Sequence, residues 1–166
     1  LIMLSILGLA LGLMVQTATS KPPTPSKAML ERGRHLVITS GCNVCHTAGY
    51  GDKAGQIPES QWLMGNTVGR HGPWGTTYPV NLRIVAHGLT EREWIRQLRT
   101  AQARPPMPWF VFRSMSDYDL ASIYYFIRSL GPVGKPAPDY LPPGQKPNPP
   151  YLELVLPPAL PPAATH

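Results

Sequence analysis

The sequence has 166 residues, and its 21 prolines and 15 glycines predict a single domain with long stretches outside helices and strands. Fifteen Lys and Arg residues against nine Asp and Glu residues give a net charge of +6. The basic residues are scattered between Lys21 and Lys146 instead of forming a block, and no nucleic-acid-binding motif is present. We therefore predict no nucleic-acid partner.

The N-terminus begins with an apolar stretch, Leu1–Val15, followed by small and polar residues up to Ser20. One interpretation of residues 1–20 is a signal peptide, since Ala18-Thr19-Ser20 resembles a cleavage site. The other is a membrane anchor, because a helix of this length extends about 30 Å, enough to cross a bilayer. We favour the anchor, and both interpretations place the rest of the chain outside the cytoplasm.

The first predicted domain element follows a Pro-rich spacer at residues 21–26. Apolar residues at helical spacing predict a helix over residues 27–40, interrupted by Gly33, which we expect at a close packing contact. Residues 47–80 are rich in Gly, Asn, Thr and Pro, so they are predicted to be loop, with one short helix near residues 59–64.

Two further helices are predicted from their start signals. Thr90 and Glu93 form a capping box before the apolar residues Trp94, Ile95 and Leu98, and this helix should end near Ala103. Ser116 begins the last helix, with a weaker box to Asp119, and Gly131-Pro132 ends it. Its apolar positions are Leu120, Ile123, Tyr124, Ile127 and Leu130.

The tail, residues 132–166, contains 12 prolines among 35 residues. Such a composition predicts an extended segment without a core of its own, ordered only where it lies on another surface. That surface is either the same domain or a neighbouring subunit.

The only cysteines of the chain, Cys42 and Cys45, precede His46 in a Cys-x-x-Cys-His motif. This spacing predicts covalent attachment of one c-type haem, with the two thiols added to the porphyrin and His46 bound to iron. The alternatives are a disulfide, a redox dithiol and a zinc site. A zinc site lacks a second cysteine pair, and the dithiol lacks a βαβ context.

The second axial position needs another ligand, and thioether sulfur is suitable for electron transfer. Met107 lies between Pro106 and Pro108, whose fixed φ angles would hold the sulfur rigidly, so we predict Met107 as the ligand. The remaining candidates are Met64, Met115, His71 and His87.

Together, "ERGRHLVITSGCNVCHT" and "PPMPWFVFRSMSDYDLASIYYFIRSL" resemble the class I cytochromes c over residues 27–131. The resemblance implies an all-α fold around one haem, with the first and last helices crossing where Gly33 approaches an aromatic residue, here Phe126. It also implies that Cys42, Cys45, His46 and Met107 occupy the attachment and axial positions. The longer middle segment and the tail depart from the family pattern.

Four residues are candidate donors to the haem propionates: Trp74, Tyr78, Asn81 and Trp109. The alternative is that the aromatic residues among them only cover the macrocycle edge. Arg70 or Arg83 would neutralise the propionates.

The predicted function is one-electron transfer in the periplasm, without catalysis by this chain. We expect a subunit of a respiratory or photosynthetic membrane complex, anchored by the N-terminus on the periplasmic side of the bacterial inner membrane. The alternatives are a freely soluble periplasmic carrier, a haem enzyme or gas sensor with an open distal site, and a purely structural haem protein.

Overall fold

A computed structural model describes residues 24–155, which form a helical domain with one small sheet. The predicted N-terminal segment, residues 1–20, lies outside the described residues. The helices are α1 (Lys27–Thr39), α2 (Cys42–His46), α3 (Leu82–His87), α4 (Glu91–Thr100) and α5 (Asp117–Ser129), with 3-10 helices at Glu59–Gln61 and Trp109–Ser114. The strands are β1 (Gly69–Gly72), β2 (Gly75–Thr77) and β3 (Tyr151–Glu153).

Helices α1 and α5 cross and form the centre of the core. The side chain of Ser26 caps α1 by accepting a hydrogen bond from the amide of Met29, at 3.2 Å. Gly33 faces α5 at the crossing, where a β-carbon would overlap the backbone of Ser122 and lie 2.7 Å from Cβ of Phe126. The predicted contact between Gly33 and Phe126 is therefore confirmed.

Helix α4 begins as its capping box predicts. The Thr90 hydroxyl accepts from the Glu93 amide, and the Glu93 carboxylate accepts from the Thr90 amide at 2.8 Å. The helix ends at Thr100, three residues before the predicted end at Ala103. Trp94 is buried and donates its indole N–H to the carbonyl of Leu120 at 3.1 Å, which ties α4 to α5.

Helix α3 was not predicted from the sequence. The buried side chain of Asn81 caps it by accepting from the amides of Arg83 and Ile84. Arg83, 3% exposed, donates to the carbonyl of Gly131 at 2.6 Å and to that of Ser60 at 2.9 Å. This arginine therefore connects α3 with the end of α5 and with the first 3-10 helix.

The three-stranded sheet corrects the prediction of loop for residues 47–80, which contain β1 and β2. It also shows that the tail, predicted only to be extended, contributes the strand β3. Strand β1 pairs antiparallel with β2, with Arg70 opposite Thr77, and parallel with β3, with Gly69 opposite Tyr151. The sheet order is β2-β1-β3. The tail thus folds back onto its own domain as far as Leu154, whose amide donates to the His71 carbonyl at 2.8 Å. Sequence patterning missed this because the strands are three or four residues long and the β1–β3 partners are far apart in the chain.

Within residues 24–155 no helix has both the length and the apolar character needed to cross a membrane.

Candidate functional site: a haem cavity

The Cys-x-x-Cys-His motif forms the short helix α2 directly after α1. Gly41, with φ of +72°, makes the sharp turn between the two helices in a left-handed conformation that glycine adopts without strain. Behind the motif, the buried Thr47 hydroxyl donates to the Asn43 side-chain oxygen at 2.7 Å and accepts from the Leu63 amide at 2.8 Å. These buried hydrogen bonds fix the orientation of α2.

The two cysteines are not joined by a disulfide. Burial, with a smaller contribution from Cys45, raises the pKa of the Cys42 thiol to about 11. As a free thiol Cys42 would therefore stay protonated at neutral pH, unlike the low-pKa cysteine of a redox dithiol. In the part of the chain that the structure describes, no three His, Cys, Asp or Glu side chains are grouped so that they could hold a metal ion.

His46 is 6% exposed, and its Nδ1 atom lies 2.7 Å from the carbonyl oxygen of Val80. Since a carbonyl can only accept, Nδ1 carries the proton and Nε2 keeps a free lone pair. Burial lowers the pKa of His46; the Val80 hydrogen bond opposes this in part, and the positive charge of Arg70 adds a smaller lowering effect. The neutral imidazole is thus held in the tautomer that binds a metal through Nε2.

A cavity of about 690 Å³ opens beside α2. The predicted site residues in its wall are Cys45, His46, Tyr78, Asn81, Met107 and Trp109. Further apolar wall residues come from α3, α4 and the second 3-10 helix: Leu82, Ile84, Val85, Trp94, Leu98 and Phe112. Cys42 and Trp74 are not among the wall residues. Cys42 is nevertheless the first residue of α2, the helix that carries Cys45 and His46.

Met107 reaches this cavity from a loop between α4 and the second 3-10 helix. The four rival ligands are placed elsewhere. Met64 borders a separate, smaller cavity, and Met115 packs against the hydrophobic core. The Nδ1 atom of His71 lies 2.7 Å from the hydroxyl oxygen of Thr76, and neither His71 nor His87 lines the haem cavity. Met107 is thus the only one of the five candidates in the cavity wall.

The four candidate propionate donors differ in their surroundings. Asn81 donates its two side-chain hydrogens to the carbonyls of Val133 and Lys135, at 2.8 and 3.2 Å, so this structure gives no support to its predicted role as a donor to the cofactor. Tyr78 and Trp109 line the cavity. The indole nitrogen of Trp74 is buried without a hydrogen-bond partner among the described residues. Direct contact of Tyr78, Trp109 and Trp74 with the cofactor stays a prediction.

The charges at the cavity come from Arg70, Arg104 and Asp139. Of the two arginines proposed to neutralise propionates, only Arg70 lies there, because Arg83 is bonded to the carbonyls of Gly131 and Ser60. Arginine side chains beside a mostly apolar wall suit an apolar ring that carries carboxylates at one edge.

Sequence reasoning missed the contribution of the tail to this site. Residues 136–140 form part of the cavity wall. Their Pro-rich composition predicted only an extended conformation, and nothing local to them indicates the surface on which they lie. The apolar spacing of Trp94 and Leu98 did indicate a buried face of α4, but it did not indicate that the face borders a cavity.

The residues present fit a covalently bound haem. Cys45 and His46 lie in the wall, His46 offers Nε2, and most of the remaining wall is apolar. A cavity of this size is in the range of about 300–1,000 Å³ that is typical of cofactor sites. The helical fold and this site together define a c-type cytochrome.

The chain belongs to the cytochrome c family, whose sequence model, Cytochrome c, matches residues 30–131. Membership implies a covalently bound haem c and a function in electron transport. The matched range contains the motif, Met107 and all five helices except the first three residues of α1.

Three relatives illustrate the wider similarity. The chain is 30% identical over 130 residues to the fructose dehydrogenase cytochrome subunit of Gluconobacter japonicus, covering 70% of this chain and 25% of the relative. It is 31% identical over 153 residues to one of the subunits of nicotinate dehydrogenase from Pseudomonas putida, covering 80% of this chain and 12% of the relative. It is 29% identical over 140 residues to the cytochrome c subunit of a quinone alcohol dehydrogenase of Gluconobacter oxydans, covering 76% of this chain and 27% of the relative.

The chain therefore spans between about an eighth and a quarter of the length of these relatives. No solved structure matches it significantly.

Proposed function

We propose that this chain is a monohaem cytochrome c domain that transfers single electrons within a dehydrogenase complex. Cys42 and Cys45 would attach the haem through thioether bonds, and His46 and Met107 would hold its iron. The observation that supports this most directly is that Met107 lines the same cavity as Cys45 and His46, although it lies far from them in the chain.

A haem with His and Met ligands supplies a one-electron iron couple of raised potential. The chain's own residues would keep the surroundings constant during that change. The Val80 carbonyl orients His46 and increases its basicity as a ligand. Pro106 and Pro108 restrict the backbone on both sides of Met107. The apolar side chains of α3 and α4 exclude water, so few groups need to reorient when charge is gained or lost.

The proposed donor is a substrate-oxidising dehydrogenase subunit. The three relatives above carry names of fructose, nicotinate and alcohol dehydrogenases or their cytochrome subunits, which supports such a partner here. We further propose that residues 1–20 anchor the chain to the bacterial inner membrane, with the haem domain on its periplasmic side. The apolar composition of Leu1–Val15 supports this placement.

The test begins with the purified holoprotein. Extraction with acidic acetone should leave the pigment on the polypeptide. The absorption spectrum in alkaline pyridine should correspond to one haem c per chain. The oxidised protein should show the weak near-infrared sulfur-to-iron band, and the reduced protein should resist carbon monoxide at neutral pH. Extraction of the pigment would contradict covalent attachment.

Rapid binding of carbon monoxide without the near-infrared band would contradict Met107 ligation. That result would favour a haem enzyme or gas sensor with an open distal site over an electron carrier.

A further inference from the structure

The tail closes one side of the haem cavity through a short segment, residues 136–141, which we call the strap. Residues 136–140 lie in the cavity wall, on the part of the chain that follows the matched cytochrome c region. The strap is therefore an addition to the family domain that directly borders the site.

The strap is fixed to the domain at both ends. At its start, Asn81 donates to the carbonyls of Val133 and Lys135. At its end, Leu141 and Thr76 exchange two backbone hydrogen bonds of 2.8 and 3.1 Å. Gly75 has no space for a side chain, because a β-carbon there would overlap the Leu141 carbonyl. These contacts place the strap in a defined position beside β2.

Tyr140 of the strap contacts two other segments, one of which belongs to the cavity wall. Its ring lies under the guanidinium of Arg104, with 3.8 Å between the guanidinium carbon and the ring centroid. Its hydroxyl donates to the Trp74 carbonyl at 2.7 Å. Arg104 belongs to residues 101–108, which we call the Met107 loop, while Trp74 precedes β2. Tyr140 thus joins the Met107 loop to the sheet.

Few hydrogen bonds reach the Met107 loop from distant parts of the chain. Pro105, Pro106 and Pro108 have no amide hydrogen to donate. The Met107 amide makes a long hydrogen bond of 3.3 Å to the Arg104 carbonyl within the loop. From outside, the Thr77 hydroxyl donates to the Pro105 carbonyl at 2.9 Å. The adjoining 3-10 helix adds hydrogen bonds from the Trp109 amide to the Met107 carbonyl at 2.9 Å and from the Val111 amide to the Pro108 carbonyl at 3.1 Å. Beyond these neighbours in sequence, the contacts that can restrain the loop come from β2 and the strap.

We propose that Tyr140 is a positioning residue for the axial ligand: stacked under Arg104 and bonded to Trp74, it holds the Met107 loop closed over the haem. This inference rests on the proposed ligation by Met107. It assigns to the tail a function in controlling access to iron. When the loop opens, an external ligand can replace the Met107 sulfur, so the rate of that replacement measures how well the strap holds the loop.

The experiment measures carbon monoxide binding to the reduced, full-length holoprotein, together with the near-infrared band of the oxidised form. Arg104→Ala should increase the association rate roughly two- to fivefold, the factor that corresponds to one exposed cation–π contact. Tyr140→Ala also loses a hydrogen bond, and its rate should increase about tenfold. Tyr140→Phe keeps the ring under Arg104, so its rate should lie between those of the wild type and Tyr140→Ala.

The double variant Arg104→Ala/Tyr140→Ala should match Tyr140→Ala alone, because both changes remove the same contact. Tyr151→Ala is the matched control, since it removes a tail ring that packs on His71 in β1. Urea unfolding of every variant separates loop opening from global instability. Arg104 is exposed, so Arg104→Ala tests the inference even if Tyr140→Ala does not fold.

The outcomes separate this inference from the proposed function. A wild type that shows the near-infrared band and resists carbon monoxide, with Arg104 and Tyr140 variants that behave identically to it, overturns the strap and leaves Met107 ligation intact. An equal increase in Tyr151→Ala also overturns it, by showing that any loosening of the tail suffices. A wild type that binds carbon monoxide rapidly overturns the ligation itself.

Discussion

Gly33 in α1 and Phe126 in α5 lie in contact at the helix crossing, where a β-carbon on Gly33 would stand 2.7 Å from Cβ of Phe126. The same β-carbon would overlap the carbonyl of Ser122, and a backbone atom in a buried helix cannot move aside easily. The crossing of α1 and α5 therefore depends on the absence of a side chain at this position.

Gly33→Ala should lower the free energy of unfolding by about 3 kcal/mol, because the added methyl group forces the two helices apart. Urea denaturation followed by circular dichroism measures the loss. Gly51→Ala is the control, since a β-carbon at Gly51 meets no atom within 4 Å. Equal stabilities of the two variants would show that the helices can separate at little cost.

Arg83→Met should also destabilise the protein, by roughly 3 kcal/mol, because it leaves the carbonyls of Gly131 and Ser60 without their charged donor. The control is Arg96→Met on the exposed face of α4, expected within about 0.5 kcal/mol of the wild type. A wild-type unfolding midpoint for Arg83→Met would mean that water replaces the guanidinium without cost.

Under the proposed ligation, Met107→Ala should abolish the near-infrared band and lower the reduction potential, because iron would lose its thioether ligand. Absorption spectroscopy and a redox titration of the holoprotein check both effects. Met115→Leu, which changes a methionine packed on the core, should preserve the band and the potential. Loss of the band in Met115→Leu but not in Met107→Ala would reverse the ligand assignment.

Glu91→Gln should lower the pKa of Tyr125. In the wild type the hydrogen bond from the Tyr125 hydroxyl to Glu91, 2.6 Å long, is the main cause that raises this pKa from 10.0 to about 12, with burial contributing less. Because the folded chain keeps the phenol proton more strongly, this residue's contribution to stability is complete below pH 10 and is lost as the pH rises towards 12.

An ultraviolet titration of tyrosinate, with Tyr125→Phe to assign the signal, measures this shift. Glu93→Gln is the control, because Glu93 is bonded to Thr90 and should leave the Tyr125 pKa unchanged. A late-titrating tyrosine that persists in Glu91→Gln would mean that burial alone holds the proton.

Several elements could be predicted because their signals are local. Thr90 and Glu93 specify the start of α4 within four residues, and the structure shows both hydrogen bonds of the box. Ser116 likewise caps α5 by accepting from the Asp119 amide at 3.1 Å. The contact between Gly33 and Phe126 followed from the family resemblance, which supplies a long-range pairing that periodicity does not.

Other elements could not be predicted because local sequence signals for them are weak or absent. Helix α3 is only six residues long, so its periodicity is too brief to predict it. An asparagine such as Asn81 suits a helix cap as well as a cofactor contact, and the sequence does not separate the two. Strand β3 pairs with β1 through backbone groups of Gly69 and Tyr151, which no side-chain pattern specifies. The position of the strap depends on the same distant pairings.

By itself the sequence determined where two thiols and an imidazole come together, and so predicted the attachment chemistry, because residues within one helical turn form a unit whose geometry is local. Only the tertiary structure decided which methionine shares a cavity with His46, which hydrogen bond fixes the imidazole tautomer, and where the Pro-rich tail lies. Those features arise from contacts between residues far apart in the chain, and such contacts form only when the whole domain has folded.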